Sequence, residues 1–149
     1  MHSERTLFTA MMRRFPMSST EPLFFDTDGI SAFLWVNKES LLCKLYPGRI
    51  IIPEPVYAEL SNPCIPHLKQ KTDIMLNAKL AELRIIEVGS VEYALFHEMT
   101  ASPRRGHTVI GRGEAAAIAL AKQCNGILES NALQGFSFSL RFKQISLQR

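Results

Sequence analysis

Short apolar runs alternate with stretches of helical periodicity along most of this chain. A strand covered on both faces appears as a continuous apolar run, whereas an amphipathic helix repeats its apolar positions every three to four residues. By these patterns, strands are predicted at Leu23–Phe25, Arg49–Pro53, Leu83–Val88 and Gly126–Glu129. Helices are predicted over Asp28–Leu45, Pro55–Asn62, Pro66–Ala81, Val91–Met99 after a Ser90 cap, and Gly113–Gln123. Strands that alternate with helices indicate a three-layer α/β/α sandwich with a central parallel sheet.

The two ends of the chain fit this pattern less well. Residues 1–21 show no regular period and are predicted to form a poorly ordered N-terminal extension, followed by one domain over residues 22–149. Beyond residue 131, apolar residues alternate as in a strand, with a helix as the alternative interpretation. The alternating residues are Phe136, Phe138, Leu140 and Phe142.

Composition narrows the class of protein. Of the 149 residues, 46% are hydrophobic and 21% are charged, which is typical of a soluble globular domain. The longest apolar runs, such as Ala115–Ala121, are far shorter than the roughly 20 residues that a membrane span needs, so no membrane association is expected. The three cysteines are widely spaced, which predicts reduced, mostly buried thiols in a cytoplasmic protein. The net charge of +3 is too small to predict a nucleic-acid partner by itself.

Carboxylates recur where predicted strands end and helices begin. In parallel α/β sheets, ligands bind outside the carboxyl ends of the strands. Asp26 directly follows the first strand, and Asp28 is the better N-cap candidate for the next helix, which leaves Asp26 without an evident structural role. Glu59 lies on a short amphipathic helix, where the solvent edge is its ordinary place. Glu114 lies in the first turn of an alanine-rich helix between two glycines, whose small size would leave its carboxylate open to a ligand.

The motifs that carry these carboxylates strongly resemble the PIN domain family over residues 22–133. They are Phe24-Phe25-Asp26-Thr27-Asp28, Ala32-Phe33-Leu34, Ile52-Pro53-x-x-Val56-x-x-Glu59-Leu60, and Gly111-x-Gly113-Glu114-Ala115-x-Ala117-Ile118-x-Leu120-Ala121. The last motif is the most specific. PIN domains are small α/β ribonucleases whose acidic residues hold one or two Mg²⁺ or Mn²⁺ ions, and many are toxins of prokaryotic toxin–antitoxin pairs.

The resemblance implies a metal-dependent endoribonuclease that hydrolyses RNA phosphodiester bonds and has an antitoxin protein as partner. It implies that Asp26, Glu59 and Glu114 are catalytic metal ligands for Mg²⁺ or Mn²⁺. It also puts the Thr27 hydroxyl near the metal or the phosphate. Hard divalent cations prefer oxygen ligands, and a bound ion polarises a phosphate and activates water. Because crowded carboxylates repel one another, we expect raised carboxylate pKa values in the metal-free site.

PIN domains commonly carry a fourth acidic residue after the fourth strand, and this chain departs from that pattern. We place Asn131 at this metal position with Ser130 beside it as a substrate contact, while a shift of one or two residues would offer Glu129 instead. An asparagine supplies a carbonyl oxygen without charge. A catalytically weak or inactive PIN domain that binds RNA or protein is therefore the first alternative. A small nucleotide- or metal-binding signalling module is the second, although no glycine-rich phosphate loop follows the first strand.

Basic residues precede Glu114 in the sequence. Arg104 and Arg105 lie in a predicted exposed loop with His107, and Arg112 follows it. We expect the three arginines to contact RNA phosphates, and a merely solvated loop is the alternative.

Large apolar residues are plentiful in the predicted helix Asp28–Leu45. They cover more than one helical face, so we expect a homodimer or a complex with an inhibitory partner. Trp35 and the phenylalanines are interpreted as core residues.

Overall fold

The computed structural model describes residues 20–101, 110–132 and 136–141, with the backbone alone for residues 131–132 and 136–141. The strands are β1 (Leu23–Phe25), β2 (Ile50–Pro53), β3 (Glu82–Arg84), β4 (Ile127–Ala132) and β5 (Phe136–Arg141). The helices are α1 (Thr27–Trp35), α2 (Glu39–Leu45), α3 (Glu54–Leu60), α4 (Pro66–Asn77), α5 (Val91–Thr100) and α6 (Arg112–Gln123). Most of the predicted extension, and the chain after residue 141, lie outside the described residues.

The sheet has the strand order β3-β2-β1-β4-β5. Strands β1 to β4 are mutually parallel, which confirms the predicted central parallel sheet. Strand β5 pairs with β4 in the antiparallel sense, so the strand interpretation of the alternating phenylalanines is confirmed for residues 136–141. The chain moves from β1 outwards to β3 and then returns to the other side of β1, so the strand order reverses between β1 and β4.

Side chains of the central strands point alternately into two helix layers. Phe24 packs with Leu128 against Ala117 and Leu120 of α6. Alanines on the inner face of α6 let the helix lie close to the sheet. The opposite face carries the larger cluster, which includes Leu23, Phe25, Ile52, Ile30, Leu42, Val56 and Met75. Helices thus cover both faces, and the predicted three-layer sandwich is confirmed.

The prediction of one helix over Asp28–Leu45 is wrong, because α1 and α2 are separate helices. The chain turns between them at Asn37, whose φ of 55° is left-handed, a conformation that asparagine tolerates better than most residues. The core interpretation of Trp35 is wrong as well. Its side chain is 55% exposed at the end of α1 and makes an edge-on contact with His67, with ring centres 4.7 Å apart.

Two further predictions need correction. Strand β3 is shorter than the predicted Leu83–Val88, since Ile85 and Val88 are exposed and follow the strand. Of the cysteines only Cys43 is buried, whereas Cys64 and Cys124 are exposed. Within the described ranges, no helix combines the length and the hydropathy that crossing a membrane requires.

A lysine of α4 closes the carboxyl end of α1. The Lys71 ammonium donates a hydrogen bond of 2.9 Å to the carbonyl oxygen of Leu34 and another to the side chain of Asn37. It also lies 3.8 Å from Glu39 Oε1. A cation at this end complements the negative pole of the helix dipole. Lys71 therefore holds the turn that separates α1 from α2.

We expect Lys71→Met to lower the free energy of unfolding by about 1–2 kcal/mol, because the last carbonyl of α1 and the turn lose a charged donor. The measurement is urea denaturation. Lys69→Met is the matched control on the same helix, since Lys69 pairs with Asp73 at the surface, and we expect it to cost much less than Lys71→Met. Equal losses in the two variants would contradict the role given to Lys71.

Candidate active site

The amino ends of two helices meet where the strand order reverses. Helix α1 begins directly after β1, so its amino end lies at the carboxyl edge of the sheet. Helix α6 packs on the sheet and leads back into β4, so its amino end reaches the same edge. Ligands of open α/β sheets bind in the crevice at such a reversal. Functional side chains are therefore expected at this edge of the sheet.

Asp26 is a buried carboxylate that caps α1. Its side chain is 4% exposed, and Oδ1 accepts a hydrogen bond of 2.6 Å from the Gly29 amide. Its Oδ2 accepts from the hydroxyl of Ser130 in β4. The prediction that Asp28 caps the helix and leaves Asp26 without a structural role is wrong. The cap lies two residues earlier than predicted, at Asp26, and the helix begins at Thr27.

Helix α1 approaches β4 closely at Gly29. A Cβ atom at this position would lie 2.5 Å from the Glu129 carbonyl oxygen and 2.8 Å from Asp26 Oδ1. A side chain would therefore push the helix away from the strand and from its own capping residue. The glycine allows the carboxylate of Asp26 to sit between α1 and β4.

Glu59 connects three helices. The side chain lies on α3, and Oε1 accepts a hydrogen bond of 3.0 Å from the Gly113 amide in α6. Its Oε2 accepts from the Thr27 hydroxyl at the start of α1. A Cβ atom on Gly113 would lie 2.7 Å from Glu59 Oε2 and would overlap the Thr27 hydroxyl. The small size of Gly113 thus makes room for Glu59, a role other than the predicted opening of Glu114 to a ligand.

The site is electronegative. Burial raises the pKa of Asp26, and the charges of Asp28 and Glu59 raise it further, against the lowering effect of hydrogen bonds from Ser130 and Gly29. Glu114 lies half-buried in the first turn of α6. Burial raises the pKa of Glu114 too, followed by repulsion from Asp26 and Asp28. Both shifts have the expected direction, but burial is their largest cause and repulsion between the carboxylates only adds to it.

Asp28 is a further acidic residue of this site, although the sequence pattern had predicted it to be the N-cap of the first helix. It is exposed in the first turn of α1 and adds negative charge near both Asp26 and Glu114. The signal was present in the Asp-x-Asp spacing after the strand. With the first aspartate at the N-cap, the second necessarily falls in the first helical turn.

Ser130 is the residue of β4 whose side chain contacts the Asp26 carboxylate. It is buried at 3% exposure, and its hydroxyl donates to the Asp26 carboxylate. Glu129 pairs with Phe25 across the parallel ladder, and paired residues share a face of the sheet. The Glu129 side chain therefore lies on the Phe25 face of the sheet, and the Ser130 side chain lies on the opposite face. Asn131 lies in β4 opposite Ser137, and its side chain is outside the described part of the chain.

The predicted phosphate contacts are described only in part. Arg104, Arg105 and His107 lie outside the described residues. Arg112 is exposed at the first position of α6, and its guanidinium carbon lies 5.2 Å from the ring centre of Phe96. The Phe96 ring supports the Arg112 side chain beside the amino end of α6.

The donor set at this edge suits a hard cation in chemistry, since every candidate ligand offers oxygen. Both Asp26 oxygens and both Glu59 oxygens already accept hydrogen bonds from the protein. As placed, no three or more His, Cys, Asp or Glu side chains of the described residues form a ready metal-binding group. Any cation here would be held by few protein ligands together with water, as Mg²⁺ commonly is.

The two raised pKa values predict how stability depends on pH. Asp26 and Glu114 bind protons more tightly in the folded chain than at their ordinary values of 3.8 and 4.5. Such groups favour the fold at acidic pH, and this contribution is lost as the pH rises through their folded-state pKa values. In EDTA, the double variant Asp26→Asn, Glu114→Gln is therefore expected to gain stability relative to wild type as the pH rises above the ordinary pKa values of the two carboxyl groups. Urea denaturation at a series of pH values is the measurement, and Glu54→Gln, at an exposed position of α3, is the control.

The fold brings Asp26, Glu59 and Glu114 to one edge of the sheet from three separate motifs. Asp26 and Glu114 interact through their charges, whereas Glu59 is engaged by the hydrogen bonds from Thr27 and Gly113. Comparison with known proteins finds no matching family model, no similar curated protein and no similar solved structure.

Proposed function

We propose that the chain is a metal-dependent endoribonuclease of the PIN-domain type. The observation that carries the proposal is the pair Asp26 and Glu114, two carboxylates with raised pKa values at the carboxyl edge of the sheet. A bound dication would replace their mutual repulsion by attraction. The α/β/α fold and the four PIN-like motifs support the same assignment.

Asp26 and Glu114 are the residues proposed to hold Mg²⁺ or Mn²⁺, with Asn131 as a third oxygen donor. When bound, the ion would polarise the scissile phosphate and supply an activated water. The Ser130 hydroxyl orients the Asp26 carboxylate through its hydrogen bond. The α1 cap fixes the other Asp26 oxygen, so the carboxylate cannot turn away from the crevice.

RNA is the proposed substrate, with its phosphates held by Arg112 beside the site and by Arg104 and Arg105 in the preceding segment. An antitoxin protein and a second copy of the chain are the proposed partners. Exposed apolar residues at the end of α1, Trp35 at 55% and Val36 at 54%, support an interface there. The cytoplasm is the proposed location, on the argument from the cysteines.

The test is cleavage of end-labelled single-stranded RNA by the wild-type chain with Mn²⁺ or Mg²⁺, and with excess EDTA. We expect cleavage with metal and none with EDTA. Cleavage that persists in EDTA would exclude the metal-dependent mechanism. RNA binding without cleavage in either metal would favour the binding-only alternative, for which Asn131 in place of a fourth acid is the specific argument.

A further inference from the structure

We propose that Glu59 is a positioning residue that fixes the spacing between Asp26 and Glu114. The hydrogen bonds of Glu59 to Thr27 and Gly113 support this role. Its consequence for metal binding rests on the proposed function.

Glu59 caps α6 from another helix. The N-cap of α6 is Gly111, which has no side chain to accept a hydrogen bond from the first turn. Glu59 Oε1 accepts from the amide of Gly113, the second residue of α6, which is a donor that an ordinary N-cap side chain would satisfy. A negative charge here also complements the positive pole of the helix dipole. The carboxylate therefore supplies from α3 the cap that the α6 sequence lacks.

The same carboxylate holds the start of α1. Its second oxygen accepts from Thr27, which directly follows Asp26 in the chain. Gly113, bound by the first oxygen, directly precedes Glu114. One side chain thus joins the neighbours of the two proposed metal ligands. Its loss would free the amino ends of α1 and α6 to move apart and would widen the gap between the two carboxylates.

Glu59 and Asp26 differ in where their hydrogen bonds lead. Asp26 is buried, and its oxygens accept from its own helix and from β4. Glu59 is exposed, and its oxygens accept from the first turns of two other helices, α1 and α6. Glu59 is therefore the side chain that joins the two helix ends, with its charge close enough to raise the pKa of Asp26.

Glu59→Gln distinguishes a positioning role from metal ligation, because it keeps the hydrogen bonds to Thr27 and Gly113 and removes the negative charge. The Gln carbonyl accepts from the Gly113 amide, and its NH₂ group donates to the Thr27 hydroxyl, which can also accept. Glu59→Ala removes both contacts. Thr27→Val removes one donor at nearly constant shape, and Thr27→Ser restores the hydroxyl. Glu54→Ala, at an exposed position in the first turn of α3, is the matched control.

Two measurements are made on each full-length variant: hydrogen exchange of the Gly113 amide by NMR, and the Mn²⁺ dissociation constant by calorimetry without RNA. In Glu59→Ala we expect Gly113 exchange to accelerate and Mn²⁺ affinity to fall, each by about tenfold, the effect of losing one charge-assisted hydrogen bond. Thr27→Val should lose part of the Mn²⁺ affinity, and Thr27→Ser should recover it. Glu59→Gln and Glu54→Ala should stay within about threefold of wild type.

The proposal would be overturned if Glu59→Gln lost as much Mn²⁺ affinity as Glu59→Ala while its Gly113 amide stayed protected from exchange. Such a result would show that Glu59 is a metal ligand. Unchanged Gly113 exchange in Glu59→Ala would overturn the proposal as well. If Glu59→Ala does not fold, Thr27→Val and Glu59→Gln make the same comparison. A wild-type chain that neither binds Mn²⁺ nor cleaves RNA would refute the proposed function, while the exchange of Gly113 would still decide whether Glu59 holds the helix ends.

Discussion

Asp26→Asn is expected to reduce metal-dependent RNA cleavage by about 100-fold or more while the chain stays folded. Asparagine keeps a carbonyl oxygen for the Gly29 amide and presents an NH₂ group to the Ser130 hydroxyl, so both contacts of Asp26 survive. Asparagine is also as good an N-cap as aspartate. What disappears is the buried charge that would attract a dication. The measurements are cleavage of labelled RNA, Mn²⁺ titration and circular dichroism.

Two companion variants separate charge from capping. Asp26→Ala removes the cap and both hydrogen bonds, so we expect it to lose about 1–2 kcal/mol of the free energy of unfolding as well as the cleavage activity. Asp28→Asn changes an exposed aspartate of the same helical turn and should retain most of the activity. Undiminished cleavage by Asp26→Asn would remove Asp26 from the proposed metal site.

The sequence was most informative where burial is complete. Strand β1 was predicted to the residue, because Leu23, Phe24 and Phe25 are each fully buried and the apolar run ends at a charge. The helix predicted over Asp28–Leu45 was wrong because apolar residues continue through the turn at Asn37. That turn depends on a left-handed residue and on Lys71 from α4, a long-range contact that periodicity does not contain.

The candidate site was likewise predicted only in part from the sequence. The rule that ligands bind outside the carboxyl ends of parallel strands pointed to Asp26, and the resemblance of the motifs implied that Glu114 lies near it. The residue that caps α1 was missed by two positions, since the cap is Asp26 and not Asp28. The partners of Glu59 are 32 and 54 residues away, so no local pattern revealed them. The choice among residues of β4 depended on strand register, since neighbouring residues of a strand point to opposite faces.

Ser130→Asp is expected to produce the largest change in stability among these variants. Ser130 is buried and its hydroxyl donates to Asp26, so an aspartate there would bring a second carboxylate against the first at 3% exposure. A buried charge without a compensating partner typically costs about 3–5 kcal/mol. We expect a loss of this order at neutral pH in EDTA and a much smaller loss at about pH 4, where the two carboxylates can share protons. Ser130→Asn, nearly the same shape without charge, is the matched control.

The effect of Mn²⁺ on the stability of Ser130→Asp tests whether this site binds a metal. A dication held between two adjacent carboxylates offsets their repulsion, and binding to the folded chain alone stabilises it in proportion to the logarithm of metal concentration. Ser130→Asp should therefore recover most of its lost stability with Mn²⁺ and bind the ion more tightly than wild type, whereas Ser130→Asn should gain nothing from the metal beyond the wild-type response. Asn131→Asp is measured in parallel. A faster rate in Asn131→Asp but not in Ser130→Asp would assign the fourth metal position to residue 131. Instability of Ser130→Asp that Mn²⁺ does not relieve would mean that the site beside Asp26 holds no metal, and the raised pKa values there would reflect burial and carboxylate repulsion without a metal-binding role.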